Sequence, residues 1–180
     1  MEDLSLHILD VAENSVTAGA TLIEIRVEEE PQDDLLSIEI SDNGRGMEAK
    51  TAAAALDPFM TTKAHKRVGL GLPLFAQSAR EADGDLRIES SPGQGTRVIA
   101  TMKYHHIDRK PLGDLTETMM VLVMGSPQVE VRFIHEFGGR QFVFTTWDFK
   151  ERLKDEAASP ARVIRALRTV LHNGETALKS

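Results

Sequence analysis

Residues 10–20 read DVAENSVTAGA and residues 41–47 read SDNGRGM. Around the first stretch, Leu4, Ile8, Val11 and Ser15 recur at helical spacing with Ala12 beside them, Asp3 stands as an N-cap and Gly19 closes the run. One face of this predicted helix is apolar. The other carries His7, Asp10, Asn14 and Thr17, so the Asp10 carboxylate and the Asn14 amide lie one turn apart and point the same way. A lone histidine on such a polar face is expected to be solvated. Two alternating runs follow, 22–29 and 35–41, joined by Pro31, Gln32, Asp33 and Asp34 as a hairpin. Ile23, Ile25 and Val27 face one way, Leu36, Ile38 and Ile40 share the inner face, and the period of two carries that face on to Asp42. A carboxylate aimed at the core as its strand ends requires a hydrogen-bonding partner or a ligand. Gly44 and Gly46 behind it predict a tight loop in which Cβ atoms would obstruct a ligand.

Further along come DPFMTTK (57–63), GLGL (69–72) and GQGT (93–96). Gly69 and Gly71 permit backbone approach to a phosphate, and Pro73 suits a first helical turn, so the amides before Leu74 are placed to receive an anion. Lys63, Lys66 and Arg67 form the main basic cluster of an acidic N-terminal region. The helix that follows is expected to run to about Asp83, with Leu74, Phe75, Ser78, Ala79 and Ala82 buried and Gly84 as its cap. Strands over 86–90 and 96–102 flank the turn SPGQG.

Composition bounds the function. With 180 residues and 41% hydrophobic content, the chain suffices for one well-cored domain, or for one plus a small second one. A formal net charge of −7 argues against nucleic acid as a partner. The absence of cysteine excludes a disulfide framework, a thiolate zinc site and a cysteine nucleophile, and agrees with a reducing compartment. No run approaches the roughly 18 apolar residues of a membrane span, and the start MEDLS lacks a basic lead-in, so no membrane association and a cytoplasmic location are expected.

Taken together, DVAENSVTAGA, SDNGRGM, DPFMTTK, GLGL and GQGT resemble, in order and spacing, the ATP-binding domain shared by gyrase-type topoisomerases, heat-shock chaperones, sensor histidine kinases and MutL, the GHKL superfamily. The resemblance implies an α+β fold, a two-layer α/β sandwich with a mixed sheet covered on one face by helices. It also implies ATP and Mg2+ as ligands. Asn14 matches the asparagine that ligates magnesium, Asp42 the aspartate that accepts from the adenine amino group, Gly46 the glycine beside the base and Thr96 the last motif's threonine. Gly44, Met47, Lys63, Gly69, Leu70, Gly71 and Leu72 complete the implied nucleotide-binding set, Lys63 as the phosphate contact. ENSVTAGATLIEI (13–25) is closest in wording to MutL, whereas PFMTTK and VGLGLPL resemble histidine-kinase boxes. Where MutL-type ATPases and anti-sigma-factor kinases place a glutamate as general base, this sequence has Asp10, one methylene shorter. The short stretch from Lys63 to Gly69 predicts micromolar or weaker ATP affinity, no more than about −8 kcal/mol.

On this reading, residues 1–104 form the ATP-binding domain and 105–180 a small α+β domain of unrecognised family: a helix, a β-hairpin and two helices. Few residues precede the first helix, so the helical hairpin that carries the phosphorylated histidine in sensor kinases is expected to be missing. The acceptor would then lie on another polypeptide or in the C-terminal part. Asp114 and Glu117 open a helix over 115–124. Strands over 129–137 and 141–146 turn at Gly138 and Gly139, a short helix covers 147–156, and Ser159 with Pro160 opens a last helix expected to close at Gly174. Arg162, Arg165 and Arg168 on that helix read as its solvated face, Met119, Met120 and Met124 as core filling, and His105 and His106 support neither a metal site nor a phosphoacceptor. Three functions fit the motifs: a kinase acting on a separate partner, a MutL-like ATP-driven switch with slow hydrolysis at Asp10, and a non-catalytic nucleotide sensor. A homodimer is compatible with each.

Overall fold

The first helix, α1 (Leu4–Thr17), begins where the Asp3 carboxylate accepts from the Leu6 amide and ends in a left-handed Gly19, φ 77°. There Gly19 N–H donates to the Val16 carbonyl and Ala20 N–H to that of Ser15, satisfying the orphan carbonyls of the last turn. The structure, a computed structural model, describes residues 2–59, 71–154 and 159–180. Its further elements are β1 (Leu22–Glu30), β2 (Leu35–Asp42), α2 (Ala49–Ala54), α3 (Gly71–Glu81), β3 (Asp85–Ser90), β4 (Thr96–Lys103), α4 (Leu115–Gly125), β5 (Glu130–Phe137), β6 (Arg140–Thr145), α5 (Thr146–Leu153) and α6 (Pro160–Lys179). A short 3-10 turn at Pro31–Asp33 closes the β1–β2 hairpin, with Asp34 left-handed.

All six strands form one mixed sheet in the order β3-β4-β2-β1-β5-β6. β1 is antiparallel to β2 and parallel to β5, the remaining pairs being antiparallel. The fold is therefore the expected α+β sandwich. The C-terminal hairpin β5–β6 joins the sheet of the first hundred residues along β1. The period of two puts Ile23, Ile25, Val27, Leu36, Ile38, Ile40, Val98, Ala100, Met102, Val131 and Phe133 on one face, where they are buried with residues of α1, α3, α4 and α6. Their burial is the main stabilising term. The opposite face is a lattice of charge: Arg97 forks onto Glu39 and reaches Glu89, Arg26 binds Glu136 and Arg132 binds Glu24. Ile134, in register with Arg26 and Val143, is nonetheless only 1% exposed.

Several expected boundaries move. α3 ends at Glu81, Asp83 is left-handed and Gly84 N–H donates to the Ala79 carbonyl. Leu74 faces solvent, and Ala76 takes a buried place instead. The short helix starts one residue earlier than expected, at Thr146, and is described to Leu153. Gly174 does not end α6, which continues to Lys179. A Cβ there would stand 2.1 Å from the Phe142 ring, so this glycine lets the helix pack closely on β6. Met119 and Met120 fill the core as expected, whereas Met124 is exposed.

Candidate functional site

β2 delivers Asp42 to the end of the sheet between Ile23 of β1 and Thr96 of β4. Its half-buried carboxylate accepts from the Ser15 hydroxyl at 2.6 Å through Oδ2 and from the Gly44 amide at 2.8 Å through Oδ1. A carboxylate has about four acceptor positions, so two remain for a further N–H donor. Sequence reading put Ser15 on the apolar face of α1. It is buried there, but its hydroxyl orients Asp42.

The loop behind Asp42 is pinned on both sides. Asn43 Oδ1 accepts from the Thr21 and Leu22 amides, and the Arg45 amide donates to the Ala18 carbonyl at the end of α1. The Met47 amide donates to Ser90 Oγ, which lies 2.9 Å from Thr96 Oγ1 and donates to the Gly95 carbonyl. A Cβ on Gly46 (φ 66°) would sit 2.0 Å from the Ser91 carbonyl oxygen, and one on Gly44 2.9 Å from that of Ala18. These glycines thus admit neighbouring backbone, a reason different from the expected clearance for a ligand. Gly95 does the same from the β3–β4 turn, 1.9 Å from the Asp42 carbonyl oxygen by the same measure. The end of α1, the 42–47 loop and the β3–β4 turn converge on one floor.

Asp10 and Asn14 stand one turn apart on α1, as expected. Among the described residues the Asn14 amide has no hydrogen-bond partner, leaving a half-exposed oxygen donor suited to a hard cation that keeps several waters. The described residues contain no group of three or more His, Asp or Glu able to cage a metal by themselves. Magnesium at Asn14 would therefore need phosphate oxygens and water to complete its shell. Burial pushes the Asp10 carboxyl above the ordinary carboxylate range, with His7 opposing. A Cβ on Gly71 would lie 3.3 Å from the Asp10 Cβ, so the described start of α3 abuts this carboxylate.

His7 departs from expectation. It is 1% exposed, stacked on Phe75 at 5.2 Å and 10°, with Nε2 3.2 Å from Ser78 Oγ. Burial, then Lys110, holds its imidazole below the usual range. Leu72 belongs to the core, and Lys63, Gly69 and Leu70 lie outside the described residues.

The family model of histidine kinase-, DNA gyrase B- and HSP90-like ATPases matches residues 2–106. The chain belongs to this family. It carries an ATP-binding module of the GHKL type, a class that binds ATP, usually with Mg2+. Among curated proteins, it is 36% identical over 110 residues to the sensor protein kinase FleS of Pseudomonas aeruginosa, covering 61% of this chain and 27% of that one. It is 36% identical over 95 residues to the signal transduction histidine-protein kinase AtoS of Escherichia coli, covering 52% and 16%. A match at 23% identity to the DNA mismatch repair protein MutL of a Geobacillus strain covers 77% of this chain and 28% of MutL. The chain thus spans less than a third of the length of each. No helix among the described residues is long and apolar enough to cross a membrane.

Proposed function

We propose that this protein binds ATP–Mg2+ between α1, the 42–47 loop and the start of α3, and phosphorylates or regulates a separate partner protein in bacterial-type signalling. The observation that carries this reading is the Asp42 carboxylate, fixed by Ser15 and Gly44 with acceptor positions to spare, at the same end of α1 as the Asn14 amide, which has no partner among the described residues. Asp42 would accept from the amino group of adenine, with the Gly46 backbone and Thr96 beside it. Asn14 would supply an oxygen to magnesium, which would neutralise phosphate charge. Asp10, whose carboxyl burial makes more basic, would take a proton from the attacking group. Catalysis would rest mainly on positioning and charge stabilisation. The PFMTTK and GLGL boxes and the kinase relatives support transfer to protein.

A second reading, an ATP-driven switch with slow hydrolysis, is favoured by the MutL match, which covers more of the chain than the family model does. Incubation with γ-labelled ATP, alone and with candidate partners, separates the two. Acid-labile label on protein supports histidine transfer, phosphate release alone supports the switch, and binding without either leaves a nucleotide sensor.

A further inference from the structure

We propose that His7 is a positioning residue of the nucleotide site: as a neutral imidazole it fastens α3 to α1, holds the Gly71 end of α3 against Asp10, and makes ATP–Mg2+ affinity fall when the ring is protonated. This rests on the reading of Asp10 and Asn14 as the phosphate end of the site.

The two helices meet along matched stripes. His7, Asp10 and Asn14 occupy successive turns of α1, and Gly71, Phe75 and Ser78 successive turns of α3. His7 touches Phe75 and Ser78, and Asp10 lies against Gly71, so the first contact sets the second. Ser78 Oγ also reaches the Leu74 carbonyl at 3.0 Å, and a serine has a single proton. With that proton on Leu74, the hydrogen-bond network assigns the imidazole proton to Nε2, donating to Ser78. A second proton would place a cation against the Phe75 ring, where almost no solvent reaches. Glu2, Asp3 and Asp10 face the ring from α1 and its approach and favour the charge, while Lys110 opposes it from the segment after β4. From α3 the neutral Phe75 and Ser78 face it, and burial outweighs the carboxylates. Buried beneath α3 and in contact with Phe75 and Ser78, His7 acts through α3.

The test is calorimetric titration of the full chain with ATP–Mg2+ from about pH 8 to about pH 5.5, comparing wild type, His7→Gln and His7→Phe. Glutamine can keep the bond to Ser78 and phenylalanine the stack on Phe75, and neither titrates. Each variant, retaining one of two fastenings, should bind about threefold more weakly at about pH 8. Wild type should lose about threefold more affinity than either variant across the range, less than the roughly tenfold that an imidazole of ordinary value would give. If His7→Phe loses its far-ultraviolet dichroism, His7→Gln decides. Parallel profiles for wild type and the folded variants overturn the role of His7 alone. A wild type that binds no ATP–Mg2+ at about pH 8 overturns the nucleotide reading and this inference with it.

Discussion

The molecule places carboxylates at opposite ends of β1–β2, and they are treated differently. At one end Asp42 is oriented by two donors and keeps acceptor positions open. At the other, Glu29 accepts from His135 at 2.8 Å and pairs with Lys179 at 3.2 Å, while the other imidazole nitrogen of His135 meets Glu175 at 2.9 Å. His135 is 0% and Glu29 4% exposed, and this cluster fastens α6 to β1 and β5. On the proposed reading the half-buried carboxylate with unused acceptors receives the ligand, whereas the one whose partners are supplied by the chain is an anchor. For His135, burial opposes the charge but hydrogen bonds to Glu175 and Glu29 overcome it and raise its pKa. For Glu29, burial is likewise outweighed, by His135 and Lys179, and its pKa is lowered.

Substitutions should separate the two ends. His135→Ala strands Glu29 and Glu175 without their shared donor and should cost about 3–5 kcal/mol in urea unfolding. It should leave the ATP affinity of the folded protein unchanged, and a tenfold loss would show that the anchor and the site are one unit. Asp42→Asn should do the reverse. The amide can keep the Gly44 bond and donate to Ser15, whose hydroxyl already lies 3.3 Å from the Val11 carbonyl, so stability should change by less than about 1 kcal/mol. Affinity for ATP should fall by about 2 kcal/mol, read by calorimetry.

A third test is pH. Because His135 titrates higher when folded, its contribution is fully present below about pH 6.5, the unfolded value, and is lost as pH rises through the folded value. Glu29 adds stability above about pH 4.3 that is lost as pH falls through its lowered folded value. The unfolding free energy from urea titration should therefore decline above about pH 6.5 by up to about 1.4 kcal/mol per pH unit, and His135→Ala should abolish that decline. The smallest effect is expected from Gly174→Ala. Helix propensity gains about 1 kcal/mol, but crowding of Phe142 costs about 1–3, for a net loss of about 1 kcal/mol with ATP binding intact.

What could be read in the sequence was local. Asp3 and Asp114 as caps, the alternation in β1 and β2 and the aim of Asp42 all follow from neighbours a few residues away. What was missed depends on partners distant in sequence. Ser15 finds Asp42 27 residues on, His7 finds Ser78 71 residues on and Glu29 finds His135 106 residues on. Helical periodicity put His7 on the polar side of α1 without revealing that α3 would cover that side. The same limit applies at Gly174, where a stop signal and a close-packing site have the same residue type. Only the position of Phe142 on β6 tells them apart.

The parallel pairing of β1 with β5 also governs how the chain must assemble. The hairpins β1–β2 and β3–β4 join near neighbours, but Leu22 pairs with Glu130 and Glu29 with Phe137, contacts that close a long loop and form slowly. During synthesis one edge of β1 therefore stays open until α4 and β5 have left the ribosome, and an open edge recruits other strands. Glu24, Arg26, Glu28 and Glu30, spaced every second residue along β1, put a charge on every outward position of that waiting edge after Leu22. The alternation that leaves one sheet face to water in the finished protein also guards the nascent chain against pairing with its neighbours.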